Sequence, residues 1–127
     1  MPYQKTKVFV SFDFDNDKTL KECIIGQSKL PDSPFKVSGY SVKEPAPEGD
    51  WLTTARSAIA GCDVFIVLLG RYTKNAPGVL KEARIANELN KRKFQIIGYP
   101  TGTRDWAVPN GGAVYCWTWD NLKKLLA

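Results

Sequence analysis

Three short, nearly continuous apolar runs constrain the fold of this chain more than any other feature of its sequence. They are "KVFVSF" at residues 7–12, "DVFIVLLG" at residues 63–70 and "KFQIIGY" at residues 93–99, and all three are rich in Val, Ile and Phe. Runs of this length and composition are typical of strands that are buried on both faces, as in a parallel sheet. A weaker run, "FKVSGYSV" at residues 35–42, alternates apolar and polar residues and is predicted to lie nearer an edge.

The segments that flank these runs have the periodicity of amphipathic helices. The apolar positions of the first two segments are Leu20, Cys23 and Ile24, and then Leu52, Ala55, Ile59 and Cys62. Asp50 is placed to cap the second helix and Gly61 to end it. Residues 78–89 and 118–127 have the same helical period. Because strands and helices alternate, we predict one α/β domain over residues 1–127, a flavodoxin-like doubly wound open sheet of four to five mainly parallel strands.

The amino-acid composition excludes several kinds of active site. No histidine occurs among the 127 residues, which excludes every Ser-His-Asp and Cys-His arrangement and every histidine-ligated zinc site. The three cysteines are widely spaced in apolar surroundings, so we expect them to be buried and reduced. Acid–base chemistry must therefore use carboxylates, Tyr, Lys or Cys, and no metal site is predicted.

Charge and hydropathy restrict the partners and the location of the protein. The net charge is +5, but the basic residues are dispersed and only "NKRK" at residues 90–93 forms a cluster, so nucleic-acid binding is not expected. No apolar run approaches the roughly 18 residues that a membrane-spanning helix needs. The first residues lead directly into a strand pattern instead of a signal peptide. A cytoplasmic location and no membrane partner are the expectations.

In doubly wound folds, ligands bind beyond the carboxyl ends of the strands. Four loops follow the predicted strands, at residues 12–17, 41–51, 70–78 and 100–112. None contains the glycine pattern of a Rossmann or P-loop phosphate site. The segment "DFDNDK" begins like a calcium loop, but Lys18 and Ile24 stand where that loop requires glycine and a bidentate glutamate. We predict instead that Asp17 caps the first helix and that Asp15 favours its dipole.

The helix at residues 78–89 contains two glutamates in opposite settings. Glu82 projects near the centre of the apolar face, which is formed by Val79, Ala83, Ile85, Ala86 and Leu89. Glu88 falls on the opposite side, four residues after Arg84, and is expected to form a solvated ion pair with it. Glu82 therefore lies at the edge of the predicted pocket, either as a functional carboxylate or as a helix-face residue at a protein contact. Among the aromatic residues, Trp51 is the best candidate to stack on a ligand ring, because it follows a pocket loop.

Several segments together resemble the TIR-like proteins of the Thoeris antiphage defence family. The segment "VFVSFDFDND" is similar to the first strand and loop of that family, and "GDWLTTARSAIAGCDVFIVLLG" to its second helix and third strand. The segment "GVLKEARIA" resembles the helix that carries its active glutamate, and the likeness extends to "WTWDNLKKL". The resemblance implies a catalytic role for Glu82, with Ala86 as its small helix partner. It also implies that the substrate is bound by residues of the first and third loops, namely Ser11, Phe12, Asp13, Gly70 and Thr73.

The function implied by the resemblance is cleavage of the nicotinamide–ribose bond of NAD, with NAD as substrate and no cofactor. The product would be an ADP-ribose-derived signal, expected to be cyclic, which reaches a separate effector protein. Cleavage creates an oxocarbenium-like centre that a nearby carboxylate can stabilise, so one glutamate suffices without metal or histidine. The resemblance also implies self-association, in which residues 42–50 of a neighbouring molecule complete the pocket.

Two alternatives to this function remain open from the sequence. One is a TIR module without enzymatic activity that only assembles with other TIR domains. Many NAD-cleaving TIR domains have Trp or Cys shortly before the glutamate, and the presence of Val79 and Leu80 at these positions favours this alternative. The other is a nucleoside-transferring hydrolase of similar topology, which uses the same kind of glutamate.

Overall fold

The computed structural model describes residues 5–42, 48–99 and 102–127, and of residues 48–50 the backbone alone. The predicted ligand loops at residues 41–51 and 100–112 lie partly outside the described residues, as does most of the segment 42–50 expected to reach a neighbouring molecule. The apolar runs form strands as predicted, at β1 (Thr6–Ser11), β3 (Val64–Leu69) and β4 (Arg92–Ile97). Two further strands are β2 (Phe35–Tyr40) and β5 (Ala113–Cys116).

The described strands form a parallel sheet in the order β2-β1-β3-β4-β5. This is the flavodoxin-like strand order, so the predicted fold class is confirmed. β3 lies at the centre with all six residues buried, which matches its continuous apolar run. β2 lies at an edge, as its alternating pattern predicts. No apolar run predicts β5, because its four residues are exposed or only partly buried at the other edge.

Four helices in the described residues cover the two faces of the sheet. They are α1 (Lys18–Ser28), α2 (Glu48–Ala60), α3 (Pro77–Glu88) and α4 (Trp119–Leu126). On one face, Ile24 of α1 and Leu122 of α4 join the same buried cluster as Val10 of β1. On the other face, α2 and α3 join the cluster that contains Phe9 and Phe65. None of the helices in the described part of the chain is long and apolar enough to cross a membrane.

The two predicted helix caps differ from the structure. Asp17 stands at the N-cap position of α1, but its side chain makes no capping hydrogen bond. Its carboxylate accepts hydrogen bonds from side chains that follow β3 and β4 instead. α2 begins at Glu48, so Asp50 lies inside the first turn and not before it. The predicted end of α2 at Gly61 is confirmed.

Only one of the three cysteines is buried. Cys62 packs in the core beneath α2, and burial raises the pKa of its thiol, so this thiol stays protonated at neutral pH. Cys23 and Cys116 are exposed. The prediction that all three are buried is therefore wrong for these two, because α1 turns Leu20 and Ile24 but not Cys23 toward the sheet, and because β5 is an exposed edge strand.

Candidate active site

Glu82 lies on the buried face of α3, as its position in the sequence predicts. Its side chain is only 1% exposed, and Val79, Ala83 and Ala86 share the same face. α3 begins just after the loop that follows β3, so its second turn lies beside the carboxyl rim of the sheet. A carboxylate at this depth is removed from bulk water, and its charge must be offset by hydrogen-bond donors.

Two serine hydroxyls donate hydrogen bonds to the same oxygen of Glu82. Ser11 is the last residue of β1, and its Oγ lies 2.8 Å from Glu82 Oε1. Ser41 follows β2 directly, and its Oγ lies 2.5 Å from the same Oε1. The two donors thus offset part of the cost of burying Glu82 and hold its carboxylate against the ends of β1 and β2.

Ser41 is the member of this group that was not singled out as a site residue from the sequence. It is the second serine of the alternating run at residues 35–42, where serine is ordinary in an edge strand. The position of Ser41 could have indicated a site residue. Ser41 begins the loop at the carboxyl end of β2, and this end lies at the same rim of the sheet as the carboxyl end of β1. Nothing local indicates which side chain it meets, since Glu82 is 41 residues further along the chain.

Glu82 and Ser41 form part of the wall of a cleft of about 110 Å³ at the carboxyl rim. The cleft combines aromatic rings, carboxylates and the first turn of α3. Its lining residues are Phe12, Asp13, Phe14, Asp15, Ser41, Val42, Trp51, Ala76, Pro77, Gly78, Val79 and Glu82. Among the residues that the structure describes, no three Cys, Asp or Glu side chains are placed to hold a metal ion.

Five of the seven predicted site residues meet at this cleft. Phe12, Asp13, Trp51 and Glu82 line it, and Ser11 reaches it through its hydrogen bond to Glu82. The carboxylate of Asp13 forms hydrogen bonds within its own loop. It accepts one from the backbone N–H of Asp15 at 3.2 Å and one from the side-chain amide of Asn16 at 2.7 Å. Trp51 is only 3% exposed, so most of its ring packs in the protein interior. Asp13 therefore shapes the loop, and Trp51 forms a fixed wall of the cleft.

The first turn of α3 gives one wall of the cleft an electrostatic preference. Ala76 occupies the N-cap position without a side-chain capping bond, and Pro77 follows at the first helical position. Helix N-termini favour negative charge because their first N–H groups and the helix dipole point outward. A phosphate group close to this wall would be attracted by the helix N-terminus and repelled by the carboxylates of Asp13, Asp15 and Glu82, which line the same cleft.

The other two predicted site residues, Gly70 and Thr73, lie in a second cluster. Thr73 Oγ1 accepts a hydrogen bond from Gly70 N–H at 2.7 Å and donates one to Asp17 Oδ2 at 3.2 Å. The Tyr99 hydroxyl donates to Asp17 Oδ1 at 3.1 Å. Burial raises the pKa of the Asp17 carboxyl, although these two donors oppose the shift. This cluster joins the loops after β3 and β4 to the start of α1.

Glu88 has the solvent-exposed setting that its position in the sequence predicts, but a different partner. Its Oε1 lies 2.8 Å from the Arg56 guanidinium of α2, and both side chains are about half exposed. This ion pair joins α3 to α2, whereas the predicted partner was Arg84 on the same helix. The two glutamates of α3 thus differ fully in environment, which makes Glu88 a matched control for changes at Glu82.

No protein-family model and no curated protein matches this sequence. Among solved structures, the chain is similar to a CMP N-glycosidase of Clostridium botulinum, with a TM-score of 0.53 and 21% sequence identity. The alignment covers 92% of this chain and 97% of that chain. At this level of identity, the comparison shows a shared fold over nearly the whole length of both proteins.

Proposed function

We propose that this protein cleaves the N-glycosidic bond of a nucleotide, with Glu82 as the carboxylate that faces the anomeric carbon. The observation that carries the proposal is the Glu82 carboxylate itself, which is 1% exposed, held by two hydroxyl donors and set into the wall of a cleft. A buried carboxylate stabilises a fold poorly, so its presence at a ligand-binding rim favours a catalytic role. The activity named for the structurally similar CMP N-glycosidase supports the same class of reaction.

The proposed reaction needs only one well-placed carboxylate. The bond between ribose C1′ and the base nitrogen breaks, the electron pair leaves with the base, and positive charge develops on C1′ and the ring oxygen. Glu82 stabilises that charge or forms a bond to C1′. A water oxygen then bonds to C1′, and any bond between Glu82 and C1′ breaks. One water proton goes to the departing base or to solvent. This chemistry suits a chain without histidine.

Two substrates fit this class of reaction. A pyrimidine nucleoside monophosphate is suggested by the CMP N-glycosidase, and NAD is suggested by the resemblance to Thoeris TIR proteins. Both place a phosphate group next to a ribose, and the N-terminus of α3 is the part of the cleft wall that attracts such an anion. With NAD as substrate, the product would be an ADP-ribose-derived signal in antiphage defence.

The test is the release of free base by the purified protein. The protein is incubated with CMP, UMP, cytidine and NAD in parallel, and cytosine, uracil and nicotinamide are quantified by reversed-phase chromatography. We expect release from at least one nucleotide, with loss of release in Glu82→Gln and near-normal release in Glu88→Gln. Release of cytosine from CMP or of uracil from UMP, with little cytosine from cytidine, identifies the nucleotide hydrolase. Nicotinamide release identifies the NAD-cleaving enzyme. Equal release by wild type and Glu82→Gln, or no release from any substrate, would reject the proposal.

A further inference from the structure

Ser41 forms hydrogen bonds to the backbone of β1 and of the residue after it, in addition to its bond to Glu82. Its backbone N–H donates to Val10 O at 3.0 Å, and its hydroxyl oxygen accepts the Phe12 N–H at 3.1 Å. Both partners belong to the backbone of β1 or to the residue that follows it. The backbone of β1 and of the residue after it therefore holds both the main chain and the hydroxyl of Ser41.

The hydrogen bonds of Ser41 also determine where its hydroxyl proton points. A backbone N–H can only donate, so Ser41 Oγ is the acceptor in its bond with Phe12. A serine hydroxyl has one proton, and the atom in line for it is Glu82 Oε1 at 2.5 Å. Ser41 thus acts as a fixed donor aimed at one oxygen of the carboxylate. Ser11 donates to the same oxygen from the end of β1.

We propose that Ser41 is a positioning residue for the reaction of Glu82, an inference that rests on the proposed N-glycosidic cleavage. Together with Ser11, Ser41 anchors Oε1, so that the carboxylate keeps one orientation in the cleft. Ser41 acts on the substrate only through Glu82. Preorganised donors of this kind act at the moment of reaction, because no group has to move when charge develops at C1′.

The experiment compares Ser41→Ala, Ser41→Thr and a matched control, Ser33→Ala. Ser33 is also buried and its hydroxyl bonds to the backbone of Phe35, but it precedes β2 at the end of the strand away from Glu82. We expect Ser41→Ala to lower kcat by about 10- to 100-fold, the effect of losing one hydrogen bond to a charged group, with KM nearly unchanged. Ser41→Thr keeps a hydroxyl and should recover most of kcat. Ser33→Ala should lower the melting temperature but leave kcat unchanged.

A double-mutant cycle between Ser41 and Glu82 tests the same inference without turnover. Ser41→Ala is combined with Glu82→Gln, and the free energy of unfolding is measured by chemical denaturation for all four proteins. We expect Ser41→Ala to be clearly more destabilising when Glu82 is intact, because it removes a donor from a buried carboxylate. If the two changes are additive in unfolding, or if Ser41→Ala has wild-type kcat, Ser41 does not position Glu82. A wild-type protein that releases no base rejects the proposed function, whereas the unfolding cycle still decides whether Ser41 is committed to Glu82.

Discussion

Replacing Glu82 with Gln separates the catalytic role of this residue from its structural cost. The substitution keeps the size of the side chain and its capacity to accept hydrogen bonds from Ser11 and Ser41. Each of the two bonds changes from a bond to a charged group, worth about 1.5–3 kcal/mol, to a neutral one worth about 0.5–1.5 kcal/mol. The combined loss is about 2–3 kcal/mol. Against it stands the cost of keeping a carboxylate 1% exposed, which is several kcal/mol for a buried ion.

These opposing contributions predict a folded Glu82→Gln protein whose free energy of unfolding is equal to or above that of the wild type. Base release should fall by about 10³-fold or more, because the charge that stabilises the developing oxocarbenium centre is gone. Chemical denaturation and the chromatographic assay are run on the same preparations. Glu88→Gln is the control, and it should change neither quantity by much, because the Glu88–Arg56 pair is half exposed.

A second substitution, Glu82→Leu, tests the cost of removing the hydrogen-bond acceptor while also removing the charge. Leu leaves the hydroxyls of Ser11 and Ser41 buried without their acceptor, at a cost of about 1–3 kcal/mol for each group. We therefore expect Glu82→Leu to be clearly less stable than Glu82→Gln. If Gln unfolds the domain, if it releases base at the wild-type rate, or if Leu is the more stable of the two, the reasoning about this carboxylate is wrong.

Three further predictions concern the surroundings of the site. Trp51→Ala should lower the free energy of unfolding by about 3–5 kcal/mol, because the ring is 3% exposed, so a loss of ligand affinity without loss of stability would contradict the packing described here. Gly70→Ala should destabilise by about 1–3 kcal/mol, because its Cβ would overlap the Asp17 carboxylate, whereas Gly61→Ala meets only ordinary contacts and is the control in the same denaturation series. Burial raises the pKa of Asp17 above 3.8 in the folded state, so the folded protein holds this proton more tightly and the contribution of Asp17 to stability falls as pH rises from 3.8 through its folded pKa. Asp17→Asn should remove that decline from a series of unfolding measurements over acidic pH, and an unchanged slope would show that Asp17 does not titrate in this way.

The sequence by itself determined the elements whose signal is local. A strand buried on both faces needs consecutive apolar residues, so β1, β3 and β4 are visible as short runs, and the alternation of residues 35–42 correctly indicates an edge strand. The 3.6-residue period of α3 likewise placed Glu82 on a buried face and Glu88 in solvent. These properties depend on residues a few positions apart, and the pattern along the chain already contains them.

Tertiary structure decided the features that depend on which side chains meet across the fold. Ser41 reaches Glu82 and Asp17 reaches Tyr99 over 41 and 82 residues, and no local pattern records either contact. Asp17 occupies a capping position in the sequence, but the hydroxyls brought to it by β3 and β4 compete successfully for its carboxylate. In the same way, Glu88 pairs with Arg56 across two helices. A side chain bonds to the best donor within reach in space, and only the packing of the sheet and helices determines which donors those are.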